Sequence, residues 1–327
     1  MKPFVWAISA AVVGLVCPAH AHHSAAMFDL ESIITLQGAV TKFEWTNPHV
    51  YIHVEVTNAT GQPTEWEIEA DPTPLMIRSG WTATTVAPGD VVTVRINPAR
   101  DTERTHARLA SLATSDGSIL TPRSRGNEST VQATSIAGIW DGIRAFATRS
   151  LAMPMPTALG AVQQAAYTNA DSPTAQCVAL VAPFFASVPY LYEIELLNDR
   201  VLIKSEFYDS ERTVFTDGRN HPEIAERTLQ GHSIGWWEGE VLVVDTVNFS
   251  DLRNGNLFGI PSGEQKHVIE RYALSEDRTR LLIDYILEDP EYLAEPFENS
   301  TYWDFSANTE MLPFTCDLEN AQRYILE

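Results

Sequence analysis

The stretch LYEIELLNDRVLIKSEF, residues 191–207, decides the fold. Leu191–Leu197 and Val201–Phe207 are strand-length runs rich in apolar residues, and Asn198-Asp199-Arg200 between them is a turn, which together read as a β-hairpin. The pattern recurs downstream. Arg212–Phe215 follows as a short strand. Ser233–Trp237 and Val241–Asp245 flank Glu238-Gly239-Glu240, and His267–Leu274 and Arg280–Leu287 flank a charged turn. Thr301–Phe305 ends the set. About eight consecutive strands with short turns predict a closed antiparallel meander barrel, lipocalin-like in architecture, because closure removes exposed strand edges.

Upstream, residues 33–96 alternate in the same way on a smaller scale. Ile33–Phe43 forms one strand, with Gly38 as a predicted bulge. Val50, Ile52, Val54 and Val56 point one way, and His49, Tyr51, His53 and Glu55 the other. Trp66, Ile68 and Ala70 alternate with glutamates, and Pro88-Gly89-Asp90 turns the chain into Val91–Ile96. Four or five short strands of this kind predict an OB-like barrel. The organisation is therefore all-β: an OB-like domain over residues 22–115, a linker over 116–137, and the larger barrel over 138–327.

The first 21 residues lie outside this scheme. Lys2 supplies a short positive region, Phe4–Val16 is almost wholly apolar, and Ala19-His20-Ala21 is a small-x-small cleavage site. This pattern predicts a secretory signal peptide and a periplasmic or secreted product. No later run is long and apolar enough for a transmembrane helix. The chain has 22 Lys and Arg against 43 Asp and Glu, a formal charge of −21 that falls to −22 once Lys2 leaves. Such an acidic chain repels nucleic acid and anionic lipid. Cys177 and Cys316 remain in the exported chain. In an oxidising compartment they are expected to form one disulfide, worth about 4 kcal/mol in the chain-entropy account of so long a loop.

Candidate chemistry falls at two places. Cleavage after Ala21 makes His22 the first residue, offering an α-amine and a ring nitrogen to one ion. With His49, at a strand start in Asn47-Pro48-His49, it forms a candidate copper site. In the larger domain His221, His232 and His267 all stand at strand edges or in turn-rich loops, where one mouth of a barrel binds ligands. Histidine is tuned for proton transfer near neutrality. Asp217 and Glu270 are candidates to orient or balance these rings. Arg219, Trp236, Trp237 and Tyr272 are candidates to line a cavity for an apolar or aromatic molecule. Asp284 and Glu288 share a strand face with Leu282 and Ile286, and suit acid–base work if that face is inward. Gly231-His232-Ser233-Ile234-Gly235 matches the nucleophile elbow G-x-S-x-G, but a hairpin follows it where the elbow requires a helix.

These residues also carry two resemblances. His22-His23-Ser24, Gly38-x-Val40, Trp45-x-Asn47-Pro48-His49 and Pro88-Gly89-Asp90 resemble a family of exported bacterial proteins of unknown function. Asp217-Gly218-Arg219-x-His221-Pro222, Trp237-Glu238-Gly239 and Glu264-x-x-His267-Val268-x-Glu270-Arg271 resemble a second uncharacterised exported family, which usually has aspartate where Glu240 stands. The resemblances imply the two-domain division and no activity. The expectation is a small-molecule-binding barrel with histidine acid–base chemistry of isomerase, lyase or hydrolase type, or alternatively a copper protein.

Overall fold

The computed structural model describes residues 27–58, 61–149, 152–223 and 226–324. The predicted leader, and His22 with it, lie outside the described residues. No helix among the described residues is long and apolar enough to cross a membrane.

The first domain contains β1 (Ile34–Glu44), β2 (Tyr51–Thr57), β3 (Pro63–Glu69), β4 (Val91–Pro98), β5 (His106–Ala113) and β6 (Ile119–Leu120). They lie in the order β3-β2-β1-β4-β5-β6, and parallel pairing of β3 with β5 closes β1–β5 into a five-stranded barrel. This is the expected OB-like barrel. The long strand β1 serves two partners, pairing with β4 through Ala39 and with β2 beyond it. A bulge between Val40 and Lys42 bends it, and Gly38 makes the corner possible, since a Cβ there would lie 2.2 Å from the Glu55 carbonyl. Val40, Ile52, Val54, Ile68, Val94 and Leu112 alternate inward around buried Trp81. β6 belongs to this sheet, so the first domain runs to Leu120.

The second domain is a closed barrel of nine strands: β7 (Gly138–Asp141), β8 (Leu191–Leu196), β9 (Arg200–Ser205), β10 (Ser210–Phe215), β11 (His232–Glu238), β12 (Val241–Val247), β13 (His267–Leu274), β14 (Arg280–Glu288) and β15 (Phe297–Phe305). Each strand pairs with its neighbour in sequence, and β15 closes on β7. A ring with an odd number of strands cannot alternate direction all the way round. One pair must be parallel, and it is β10–β11, through Val214 with Ser233 and Phe215 with Ile234. Eight of the nine pairings are antiparallel, as the meander predicts. The ninth strand, Gly138–Asp141, is only four residues long and too short to show an alternation in sequence.

The barrel is filled rather than hollow. Tyr192 and Trp303 stack inside it with centroids 3.8 Å apart, among Trp140, Tyr272, Leu242, Val244 and Ile283. The polar ends of the rings are satisfied by backbone: Trp140 Nε1 donates to Ile136 O, Trp303 Nε1 to Ala186 O, and the Tyr192 hydroxyl to Phe185 O. Phe185 and Ala186 belong to a 3₁₀ turn, Phe184–Ser187, that packs into the same interior cluster. Phe184, Phe249, Ile260 and Leu287 close the end opposite the 238–240 turn.

The last described residues join the domains. Asn47 Oδ1 accepts from the backbone of Thr73 at 2.8 Å, and its Nδ2 donates to the Phe314 carbonyl. Asn320 exchanges hydrogen bonds with the backbone of His49 at 3.3 and 3.0 Å. Arg323 pairs with Glu44 and Glu67 of the first barrel, and Arg78 of the first domain pairs with Glu206 of the second. The Cys177–Cys316 disulfide anchors this tail to the second domain. Asn47 is 5 % exposed, so Asn47→Ala leaves the Thr73 N–H and the Phe314 carbonyl without their partner. The expected cost is about 2–3 kcal/mol in urea unfolding, with Asn47→Asp intermediate because it keeps the acceptor. A loss below about 0.5 kcal/mol would show that the tail does not depend on this residue.

Candidate functional site

Period-two alternation sends Ser233, Val244, Thr246, Val268, Glu270 and Tyr272 inward, and His232, Asp245, His267 and Glu288 outward. Register then sets the outward residues beside one another. Asp245 lies between Ile234 and Ile269, and His267 stands directly opposite Glu288. The connection after β10 has to return along the barrel because β11 runs parallel to β10. That connection brings His221 onto the same outer wall.

The three histidines therefore meet, 46 residues apart at the extremes in sequence, on the barrel's outer face and not at its mouth. His221 Nδ1 and His232 Nδ1 are 2.9 Å apart, so one ring nitrogen donates and the other accepts. His221 Nε2 is 3.4 Å from Asp245 Oδ1, and His267 Nε2 is 2.9 Å from the same oxygen. His267 Nδ1 reaches Glu288 Oε2 at 3.1 Å. The result is a continuous line, His232–His221–Asp245–His267–Glu288, of which the side chains are one-fifth to one-half exposed where they face solvent.

The surroundings push the two ends of this line apart. Hydrogen bonding to Asp245, then to Glu288, raises the His267 pKa above the usual 6.5 against the opposing effect of burial. Burial, with the charges of His221 and Arg219, lowers that of His232 below the same value. Asp245 is held down chiefly by its hydrogen bond to His267. Near pH 6.5 the site thus favours a protonated imidazole at His267 and a neutral one at His232, linked through His221 and Asp245, a division of roles that acid–base catalysis uses.

The other expected residues divide. Arg219 and Asp217 flank the cluster: Asp217 binds the guanidinium at 2.5 Å, which lies over Phe215 at 3.9 Å, and Phe215 also stacks on His232 with centroids 5.4 Å apart. That guanidinium lowers Asp217 to about 2, so it serves as an anchor for Arg219 and not as a proton carrier. Glu270 and Tyr272 are separated from the histidines by the barrel wall. Glu270 pairs inside with Arg212 at 2.5 Å and accepts from the Tyr272 hydroxyl at 3.0 Å. Ser233 belongs to the same interior network, with Arg212 Nε 3.1 Å and Thr246 Oγ1 2.9 Å from its oxygen. A strand continues after it, so the G-x-S-x-G match is no nucleophile elbow. Trp236 and Trp237 lie toward the far end of β11, 41 % and 44 % exposed, and neither enters the lumen. Asp245 was not singled out in sequence; a lone carboxylate in the Val241–Val247 run was the available signal.

His49 lies in the first barrel. Its Nδ1 faces Glu69 Oε1 at 3.2 Å without hydrogen-bond geometry, and His106, 4 % exposed, has no hydrogen-bond partner at either ring nitrogen among the described residues. Burial lowers His106 to about 4, and it stays neutral. Phe28 packs on His106 with centroids 4.9 Å apart, so the chain enters the barrel beside this group. Among the described residues no three or more His, Cys, Asp or Glu side chains are set to hold a metal ion.

Asp245→Asn removes the acceptor that holds the His267 proton. The His267 pKa should fall back toward 6.5, read from imidazole proton shifts in an NMR titration, with Glu288→Gln giving a smaller shift in the same direction. An unmoved His267 titration in Asp245→Asn would break the link.

Residues 10–108 match the model of a family of unknown function (DUF6152). The match covers β1 to the start of β5 and brings no activity. No curated protein and no solved structure matches the chain.

Proposed function

We propose that the second barrel binds a small, largely apolar or aromatic molecule on its outer wall and performs proton transfer on it, in a reaction of isomerase, lyase or hydrolase type. The observation that supports this is the line His232–His221–Asp245–His267, with the two end rings shifted in opposite directions. A surface ion pair needs no such line of rings. His267 acts as the acid and His232 as the base, with His221 and Asp245 passing or balancing charge between them. The packed lumen leaves the wall beside the cluster as the seat for the ligand. The Cys177–Cys316 disulfide suits an oxidising compartment and supports the export reading.

Replacing His221, His232 and His267 by alanine, one at a time, should each lower turnover by about 10²–10⁴-fold once a substrate is in hand. Unchanged turnover in all three sinks the proposal. The pH profile should be bell-shaped and span pH 6.5. Below it the lowered His232 gains a proton and the base is lost; above it the raised His267 gives up its proton and the acid is lost. A rate that rises or falls in one direction only across this range contradicts the pairing.

A second reading is favoured by the placement of Phe28 against His106 and of His49 beside it. Six residues separate His22 from Phe28, a reach of about 20 Å when extended, so the processed N-terminus is able to bring its amine and ring to His49. Copper would take these three nitrogens. Titrating copper into the processed chain should show one tight site that is lost when a single residue is added before His22. Equal binding by the extended chain would remove the amine from the site.

A further inference from the structure

We propose that the ligand taken by the outer wall is an organic cation, a small amine with an apolar or aromatic body. The inference rests on the ligand reading above and deepens it. One pleat along from His267 and Glu288, β13, β14 and β15 form an open depression of about 400 Å³. Its lining includes Ile269, Arg271, Asp284, Ile286, Glu298 and Ser300.

The chemistry of the lining is asymmetric. Ile269 and Ile286 form an apolar floor, and Ile286 is 39 % exposed. Isoleucine on the solvent side of a sheet is a position that polar residues usually fill. Arg271, the cation in the depression, stands directly opposite Asp284 but turns its guanidinium to Glu238 at 2.7 Å, so two carboxylates share the wall with one cation already engaged elsewhere. The carboxylates of Asp284 and Glu298 have no hydrogen bond or ion pair among the described residues. Register makes them diagonal neighbours: Asp284 pairs with Ser300 and Ile286 with Glu298. Diagonal positions on adjacent strands are about 7 Å apart, close enough for one ammonium to serve both.

The body of such an amine would lie over Ile269 and Ile286, with its far end toward His267. The charge of the whole chain, −21, favours the approach of a cation and opposes that of a carboxylate. A neutral apolar ligand would leave both carboxylates unpaired beneath it, and an anionic ligand would add a third negative charge.

The test uses the full exported chain with benzylamine, benzyl alcohol and benzoate as probes. Binding is read from the methyl NMR signals of Ile269 and Ile286 and by calorimetry. Benzylamine should bind at least tenfold more tightly than benzyl alcohol, and benzoate not at all. The preference should shrink as salt rises, since exposed charges are screened. Asp284→Asn combined with Glu298→Gln should erase the tenfold preference and leave the affinity for benzyl alcohol in place. Benzyl alcohol binding as tightly as benzylamine, or a preference that survives in the double variant, overturns the cationic assignment alone and leaves the apolar-ligand reading standing. Failure of all three probes to move either methyl signal overturns both.

Discussion

A closed ring of nine strands has to contain one parallel neighbour pair, and the second domain is organised around that constraint. The pair is β10–β11, and a parallel pair cannot be joined by a tight turn. The chain between Phe215 and His232 therefore travels back along the barrel. On the way it sets Arg219 over Phe215 and His221 against His232 and Asp245. An even-stranded barrel with the same strands would have joined them by a short turn and would have had no loop to lay over its wall. The histidine cluster is thus a product of strand count as well as of residue type.

The inside of the barrel makes a complementary point. Arg212 and Glu270 are 2 % and 0 % exposed, and they are bound to each other and to Ser233, Thr246 and Tyr272. A buried ion pair is tolerated only when its remaining donors and acceptors are largely satisfied, and replacement of one partner alone strands the other charge. Lys266 shows the cost of a less complete arrangement. It is 1 % exposed, donates to the Gly255 carbonyl and lies 4.9 Å from the Phe249 ring, and burial lowers its pKa to about 7. Aromatic rings and these polar links together occupy the lumen.

Much of this was legible in the residues. The hairpins after Leu191, the OB-like strand set and the cysteine pair all follow from period-two alternation, turn residues and compartment chemistry, whereas the bulge expected at Gly38 lies between Val40 and Lys42. His221, His232 and His267 were expected at one mouth of the barrel, and they stand together instead on the outer face of its wall. What alternation does not disclose is which of its two faces turns inward. Glu270 and His267 sit three residues apart in one strand and face opposite ways, so Glu270 and Tyr272 went to the core while the histidines went to solvent. Strand Gly138–Asp141 carried too few residues to show a period, and its pairing with β15 depends on closure. Asp245 stood out only as one charge among valines, and its bridging role needed the register of three strands.

The clasp formed by Phe314 to Tyr324 has a consequence for how the polypeptide matures. The first barrel emerges first from synthesis, yet Asn47, His49, Glu44 and Glu67 receive their partners from the final residues of the chain. Contacts separated by more than 250 positions are among the last a growing chain is able to make. The barrel that is synthesised first is therefore closed only after the second has been made.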